Sequence, residues 1–396
     1  MDSIYLDHNA TTPLAPAALE AMLPFLSGSY AGGFGNPSSI HAAGRDARAA
    51  IDDARERLAR IFGVRPHEIV FTGGGTEADN LAVIGLARNR ARNGAQRHLM
   101  VSQIEHHAVL HAAAILEKAE GFRLTRLRVD RRGLVDLEEL RQAITPETAL
   151  VSIMSANNET GTLQPIPEIA AICREQGVPF HSDMVQSFGK TPLALDRAGD
   201  FGPDAISIAA HKFYGPKGSG ALWLRSGLSI DPLLVGGSHE NDRRAGTENV
   251  AGIVGLVTAA ELALEGMAGE QSRQAALRDR LWHGVQKAYP AAVRNGCWDD
   301  AAGGSARQLA NTLNVSFPEL DGESLLINFD LEGIAVSSGS ACMVGSIQPS
   351  HVLLAMGVPP ENAGAAVRFS LGKGTTEDAI EQVIGRLPRI IGRLRA

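Results

Sequence analysis

Cysteine is scarce in this chain: 396 residues hold three, Cys173, Cys297 and Cys342, far apart and without a CxxC pair. That scarcity excludes a disulfide framework and a thiolate zinc site, and it fits a reducing compartment. Excess basic charge is also missing. A formal charge of −7 argues against nucleic acid or an anionic membrane as the main partner, because both need a basic face. Lysine is scarce too, six residues against 31 arginines. The N-terminus, MDSIYLDHNATTP, lacks the basic and apolar regions of a secretory signal. The most apolar long stretch, AGIVGLVTAAELALEG (251–266), is interrupted by Glu261 and is shorter than the roughly 20 residues a bilayer span needs. A cytoplasmic protein is expected, with neither a membrane nor a nucleic acid as partner. There is no internal repeat and no low-complexity tract.

What is present is alternation. GRDARAAIDDARERLARIFG (44–63) has the helical period, EIVFT (68–72) is a short apolar strand running into three glycines, and a helix resumes at TEADN. Further strands are expected at 98–102, 123–129, 149–154, 178–183, 204–209 and 220–225, most of them separated by helix-length segments. This rhythm predicts an α/β fold with a mainly parallel sheet between helices. After about residue 250 the pattern changes to long helices (248–266, 270–289), a strand at 311–317, a helix at 322–330, a strand at 367–371 and a helix from 376, which reads as a smaller α+β domain. NGCWDDAAGGSA (295–306) is the expected exposed loop.

In such sheets ligands sit beyond the carboxyl ends of the strands. FTGGGTEADN puts backbone N–H groups and a helix start there, suited to a phosphate, although a plain turn capped by Thr76 explains the stretch equally well. It is neither GxGxxG nor a P-loop, so a nucleotide is not implied. HSDMVQSFGK ends a strand on Asp183, which can hold a protonated ring nitrogen or be a turn aspartate, with Gln186 nearby. SIAAHKFYGPKG places Lys212 directly after a strand, where a desolvated amine can form an imine; Lys217 and Lys190 read as surface lysines. In QIEHHAVLHA, His107 and His111 have helical spacing but no third ligand, so no metal is expected, while His106 stands where an imidazole can stack on a ring or pass a proton. Cys342 lies in AVSSGSACMVG, among residues too small to fill a core, so its thiol looks presented. A phosphate nest, a ring-nitrogen carboxylate, an imine lysine and an imidazole together match the reactive parts of pyridoxal 5'-phosphate.

With YLDHNATTP (5–13), GNPSSIH (35–41), NNETG (157–161), RRAGTEN (243–249), SSGSAC (337–342) and RFSLG (368–372), these stretches run in order over almost the whole chain. The chain resembles the NifS/IscS-like cysteine desulfurases, within the class V, fold-type I pyridoxal-phosphate enzymes. The resemblance implies a seven-stranded sheet in a large domain, 14–254, and a small domain built from 1–13 and 255–396. It implies that Lys212 holds the cofactor as an imine and moves protons, that His106 stacks on the ring, that Asp183 partners its nitrogen, and that Asn158 and Gln186 bond near the phenolic oxygen. Gly75, Thr76 and His211 would contact the phosphate, Thr247 would reach the phosphate of the other subunit of a homodimer, and Arg368 and Asn36 would bind substrate. L-cysteine would become L-alanine, its sulfur passing to Cys342 as a persulfide for an acceptor protein, with the Ser/Gly run letting Cys342 travel between the two.

Three departures from the family pattern stand out. Ala209 replaces a phosphate-cup serine, for which Ser207 or a water is the candidate substitute; MVGS follows the cysteine; and the chain ends at IIGRLRA, short of the tail with which IscS-type relatives dock an iron–sulfur scaffold. Rival activities are a selenocysteine lyase, another class V lyase, or an aminotransferase, which would not need Cys342. A non-catalytic homologue is not expected while Lys212 is present.

Overall fold

The computed structural model describes residues 3–27, 33–94, 96–193, 202–298, 307–338 and 349–395. Among these, seven strands form the central sheet, in the spatial order Ile69–Thr72, Gly220–Leu224, Ala205–Ala209, Phe180–Asp183, Thr148–Ser152, His98–Ser102, Arg123–Leu127. All pairs are parallel except the two made by Gly220–Leu224. The inner strands are buried at every residue, as helix-covered parallel strands must be. His181 is satisfied across the sheet: it bonds Ser152 Oγ at 2.8 Å on one neighbour and Ser207 Oγ at 2.9 Å on the other.

Each helix buries the stripe its sequence period supplies. Ala42–Phe62 turns Ala47, Ile51, Ala54, Leu58 and Phe62 inward and stops at Gly63, whose φ of 69° is the left-handed conformation that ends helices most easily in glycine. The chain from Gly75 to Gly94 stays helical through a π-type stretch, Leu81–Gly85.

A second core forms around a four-stranded antiparallel sheet containing Thr312–Ser316 and Ala366–Ser370, covered by the helices Met267–Ala288 and Glu377–Arg395. Ile4 and Leu6 join this core, and Asp7 bridges to Ser370. The first core runs on through Ile253, Leu256 and Val257 to Ala263, because the helix Val250–Leu264 packs on Pro16–Leu26 and Ala42–Phe62. The helix Val250–Leu264 thus serves the first core and not the second. Within 295–306, Asn295 belongs to a strand and Cys297 is buried, so the front of the expected loop is structured; 299–306 lie outside the described residues. Among the described residues no single helix is long and apolar enough to cross a membrane.

Candidate active site

The carboxyl ends of the parallel strands open into a cleft of about 380 Å³, within the size range of small-molecule sites. Five strand ends deliver its lining: Gly75 and Thr76 after Ile69–Thr72, His106 after His98–Ser102, Asn158 after Thr148–Ser152, Asp183 and Gln186 after Phe180–Asp183, and His211 and Lys212 after Ala205–Ala209. Arg368 and Asn9 close it from the second body. Of the residues expected at the site, these nine from Gly75 to Arg368 converge.

Lys212 sits on a single 3-10 turn, and its Nζ donates to the carbonyls of Asn9 at 2.7 Å and Ala10 at 2.8 Å. His211 beside it holds Thr11 Oγ1 at 3.2 Å, and its burial and the Lys212 charge bring its pKa down to about 4. His106 caps the helix His107–Glu120: its Nδ1 accepts the Ala108 N–H at 3.1 Å, which puts the proton of the neutral ring on Nε2. Burial first, then Lys212, lowers its pKa to about 4, so the ring is neutral at physiological pH.

Three buried carboxyls lie behind the cleft. Asp183 is raised to about 6 by burial, opposed by the Val185 N–H that donates to Oδ1 at 2.8 Å. Asp79 is pushed well above the usual carboxylate range by burial and by the Asp183 charge, and its Oδ1 has no hydrogen-bond partner. Glu105 is raised to about 8 by burial although Ser102 Oγ donates to it at 2.5 Å and the Met154 N–H at 2.9 Å. Like charges in one dry site cannot all ionise, so the negative charge settles on Asp183, the least perturbed of the three.

Arg368 is only 2% exposed. Its Nη1 donates to the Asn158 carbonyl at 2.9 Å, its Nη2 to Asp7 Oδ1 at 2.8 Å, and its Nε has no partner. A buried guanidinium with an unspent N–H is a standing receptor for an anion.

Gly75 could not be another residue without movement, since a Cβ there would stand 2.8 Å from Val185 Cγ2 and 3.2 Å from the Ala209 methyl. The helix cap is Gly74, at φ 149°, and not Thr76, which stands exposed in the first turn. Ser207 is fully buried, with its Oγ 2.9 Å from His181 Nε2, and is not part of the cleft lining.

Two expected residues lie elsewhere. Asn36 is exposed, its Oδ1 accepting the Ser38 N–H at 2.9 Å, and Thr247 is exposed outside the cleft. They share a surface, because His239 bonds both Ser38 Oγ at 3.4 Å and the Gly246 N–H at 3.3 Å. Cys342 lies outside the described residues. The other two thiols are buried, and burial drives Cys173 up to about 12.

Sequence reasoning missed Lys190. It is not a surface lysine: its ammonium is enclosed and donates to Gln186 Oε1 at 2.9 Å and Asn9 Oδ1 at 3.3 Å, and burial brings it down to about 7. The rarity of lysine was a signal for this residue as much as for Lys212. Asn9, Asp79 and Glu105 carried no local signal beyond the motifs that contain them.

Residues 4–383 match the family model for class-V aminotransferases. The cysteine desulfurase IscS of Dictyoglomus turgidum is 47% identical over 392 residues, covering 99% of this chain and 95% of that protein. The cysteine desulfurase IscS of Clostridium botulinum strain Hall is 45% identical over the same coverage. A solved NifS-like protein superposes with a TM-score of 0.89 at 36% identity, covering 99% of this chain and all of that one.

Proposed function

The chain belongs to the class-V aminotransferase family, and on that premise we propose that it is a pyridoxal 5'-phosphate-dependent cysteine desulfurase, which turns L-cysteine into L-alanine and passes the sulfur to Cys342. The observation that carries this reading is the placement of the Lys212 amine, the Asp183 carboxylate and the His106 imidazole around one cleft. The donor set fits the cofactor. Asp183 suits a ring N–H, the crowded Gly75 brings backbone N–H groups close to the cup where His211 also stands, and the unspent Arg368 Nε awaits a carboxylate.

When bound, the cofactor supplies an electron sink conjugated to the α-carbon of the amino acid. The protein's residues do the rest. Lys212 takes the proton from the substrate α-carbon and redelivers it. Asp183 would hold a positive ring nitrogen, and His106 would cover the ring as a neutral imidazole. Because Nδ1 is committed to the Ala108 N–H, His106 approaches substrate as an Nε2–H donor, and it must give up the cap to take a thiol proton. Gln186 and Asn158 would bond the phenolic oxygen, and Gly75, Thr76 and His211 would hold the phosphate; all five line the cleft. Arg368 receives the substrate carboxylate by exchanging Asp7.

The Cys342 thiolate attacks the substrate sulfur, the carbon–sulfur bond breaks, and a proton returns to carbon. The balance is L-cysteine plus thiol to L-alanine plus persulfide. That Cys173 and Cys297 are buried supports Cys342 as the nucleophile. The remote surface shared by Asn36 and Thr247, flanked by exposed Phe34, Ile40, Leu234 and Val235, supports a homodimer in which each copy contributes Thr247 to its partner's cofactor and Asn36 to its partner's substrate. The sulfur then goes to an acceptor protein, of which an iron–sulfur scaffold is one, in a reducing cytoplasm.

The test is to supply L-cysteine to the cofactor-loaded protein and measure alanine and protein-bound persulfide together. Wild type is expected to form both, and Cys342→Ser to lose stoichiometric persulfide. A Cys342→Ser protein that still carries one persulfide per chain would refute the assignment.

A further inference from the structure

Lys190 is a buried amine that the reaction above does not use. Both of its partners are neutral amide oxygens, Gln186 Oε1 and Asn9 Oδ1. The cations that face it are Lys212 and Arg368, and the imidazoles are His8 and His211; Glu270, which shares the small cavity beside it, is held by Arg273 Nη2 at 2.7 Å and Gln274 Nε2 at 2.6 Å. A burial this costly for an ammonium calls for a compensating role.

The wiring indicates the role. An ammonium has donors and no acceptor, so Gln186 must turn its oxygen towards Lys190 and its NH₂ away. One N–H of that NH₂ goes to the Asn9 carbonyl at 2.9 Å, the same oxygen that receives Lys212 Nζ at 2.7 Å. The second N–H is left for the cleft that Gln186 lines. Asn9 is gripped from all sides: its Nδ2 donates to Thr312 Oγ1 at 2.9 Å and the Asn158 carbonyl at 3.2 Å, and its Oδ1 accepts from Asn311 at 3.0 Å. Lys190 and Lys212 therefore act on the two ends of one rigid residue.

We propose that Lys190 is a positioning residue for the phenolic oxygen of the cofactor: it orients the Gln186 amide as a donor towards that oxygen and places a positive charge behind it. The inference rests on the cofactor reading given above. A cation behind the phenolic oxygen stabilises its anion and so makes the neighbouring imine nitrogen easier to deprotonate. Burial and the two neighbouring cations weaken Lys190's hold on its proton, and an anionic oxygen in the cleft strengthens it.

The experiment is a pH titration of the visible absorption band of the cofactor-loaded protein, from pH 5 to 10, in wild type, Lys190→Met, Lys190→Gln and Lys190→Arg. Removing a unit charge about two hydrogen bonds away is expected to raise the midpoint by about one pH unit in the Met and Gln variants. The Arg variant, which keeps charge and donors, is expected to stay within about a third of a unit of wild type. A merely structural lysine would weaken cofactor binding without moving the midpoint. Should Lys190→Met not fold, Lys190→Gln reads the same quantity, and the Arg variant controls for packing. Wild type that stays colourless with added cofactor would sink the cofactor reading and this inference together. A yellow wild type whose midpoint is shared by the neutral variants would sink this inference alone.

Discussion

Asp183→Asn separates what the site does for the reaction from what it costs the fold. The carboxyl is raised from 3.8 to about 6, chiefly by burial. Between those values the native state keeps a proton that the unfolded chain has released, so stability falls as pH rises through the window and stays lowered above it. A shift of this size costs the folded, cofactor-free protein about 3 kcal/mol at pH 8. Asparagine removes the charge while its Oδ1 can still accept the Val185 N–H, and the charge that pushes on Asp79 disappears as well. The cofactor-free variant should thus be more stable than wild type at pH 8, by about 1–3 kcal/mol, with the advantage gone below about pH 4. With Asp183 in its proposed role as partner of the ring nitrogen, turnover of L-cysteine should fall by roughly 10²-fold or more. Denaturant unfolding at pH 4 and pH 8, beside alanine production, reads both quantities. An asparagine variant no more stable than wild type at pH 8 would show that Asp183 is not held at a cost, and the electrostatic account of the site would fail.

Ala209→Ser adds a hydroxyl beside Gly75, where the phosphate is proposed to sit, and one hydrogen bond of about 1 kcal/mol should tighten cofactor binding about fivefold; equilibrium dialysis showing weaker binding would place the phosphate elsewhere. Arg368→Lys replaces a planar fork by a point charge and leaves Asp7 and the Asn158 carbonyl less well matched, so kcat/KM for L-cysteine should drop by about 10²-fold with cofactor affinity little changed; an unaltered KM would remove Arg368 from the substrate site.

The parts of this protein that repeat locally were legible in its sequence. Short apolar runs between helix-length segments of period 3.6 placed the seven strands and the long helices within a few residues, because a strand buried on both faces and a helix buried on one are written into consecutive positions. The strand-end residues Asp183 and Lys212 were legible for a related reason: a parallel sheet brings all its carboxyl ends to one edge, so sequence order alone predicts that they meet. Val250–Leu264 is apolar on nearly every face, so only the helices lying on it determine which core it serves.

What tertiary structure decided lies in pairs distant along the chain. Asn9 meets Gln186, Lys190, Lys212, Asn311 and Thr312 across gaps of 177 to 303 residues. No local pattern could distinguish Lys190, enclosed by those contacts, from the exposed Lys217. The spread of Asp183, Asp79 and Glu105 from about 6 upwards likewise comes from shared burial, a property of the assembled site. Residue types and their order determined which chemistry is possible; close packing of remote segments, which sets dielectric, charge and hydrogen-bond direction, decided which groups carry it.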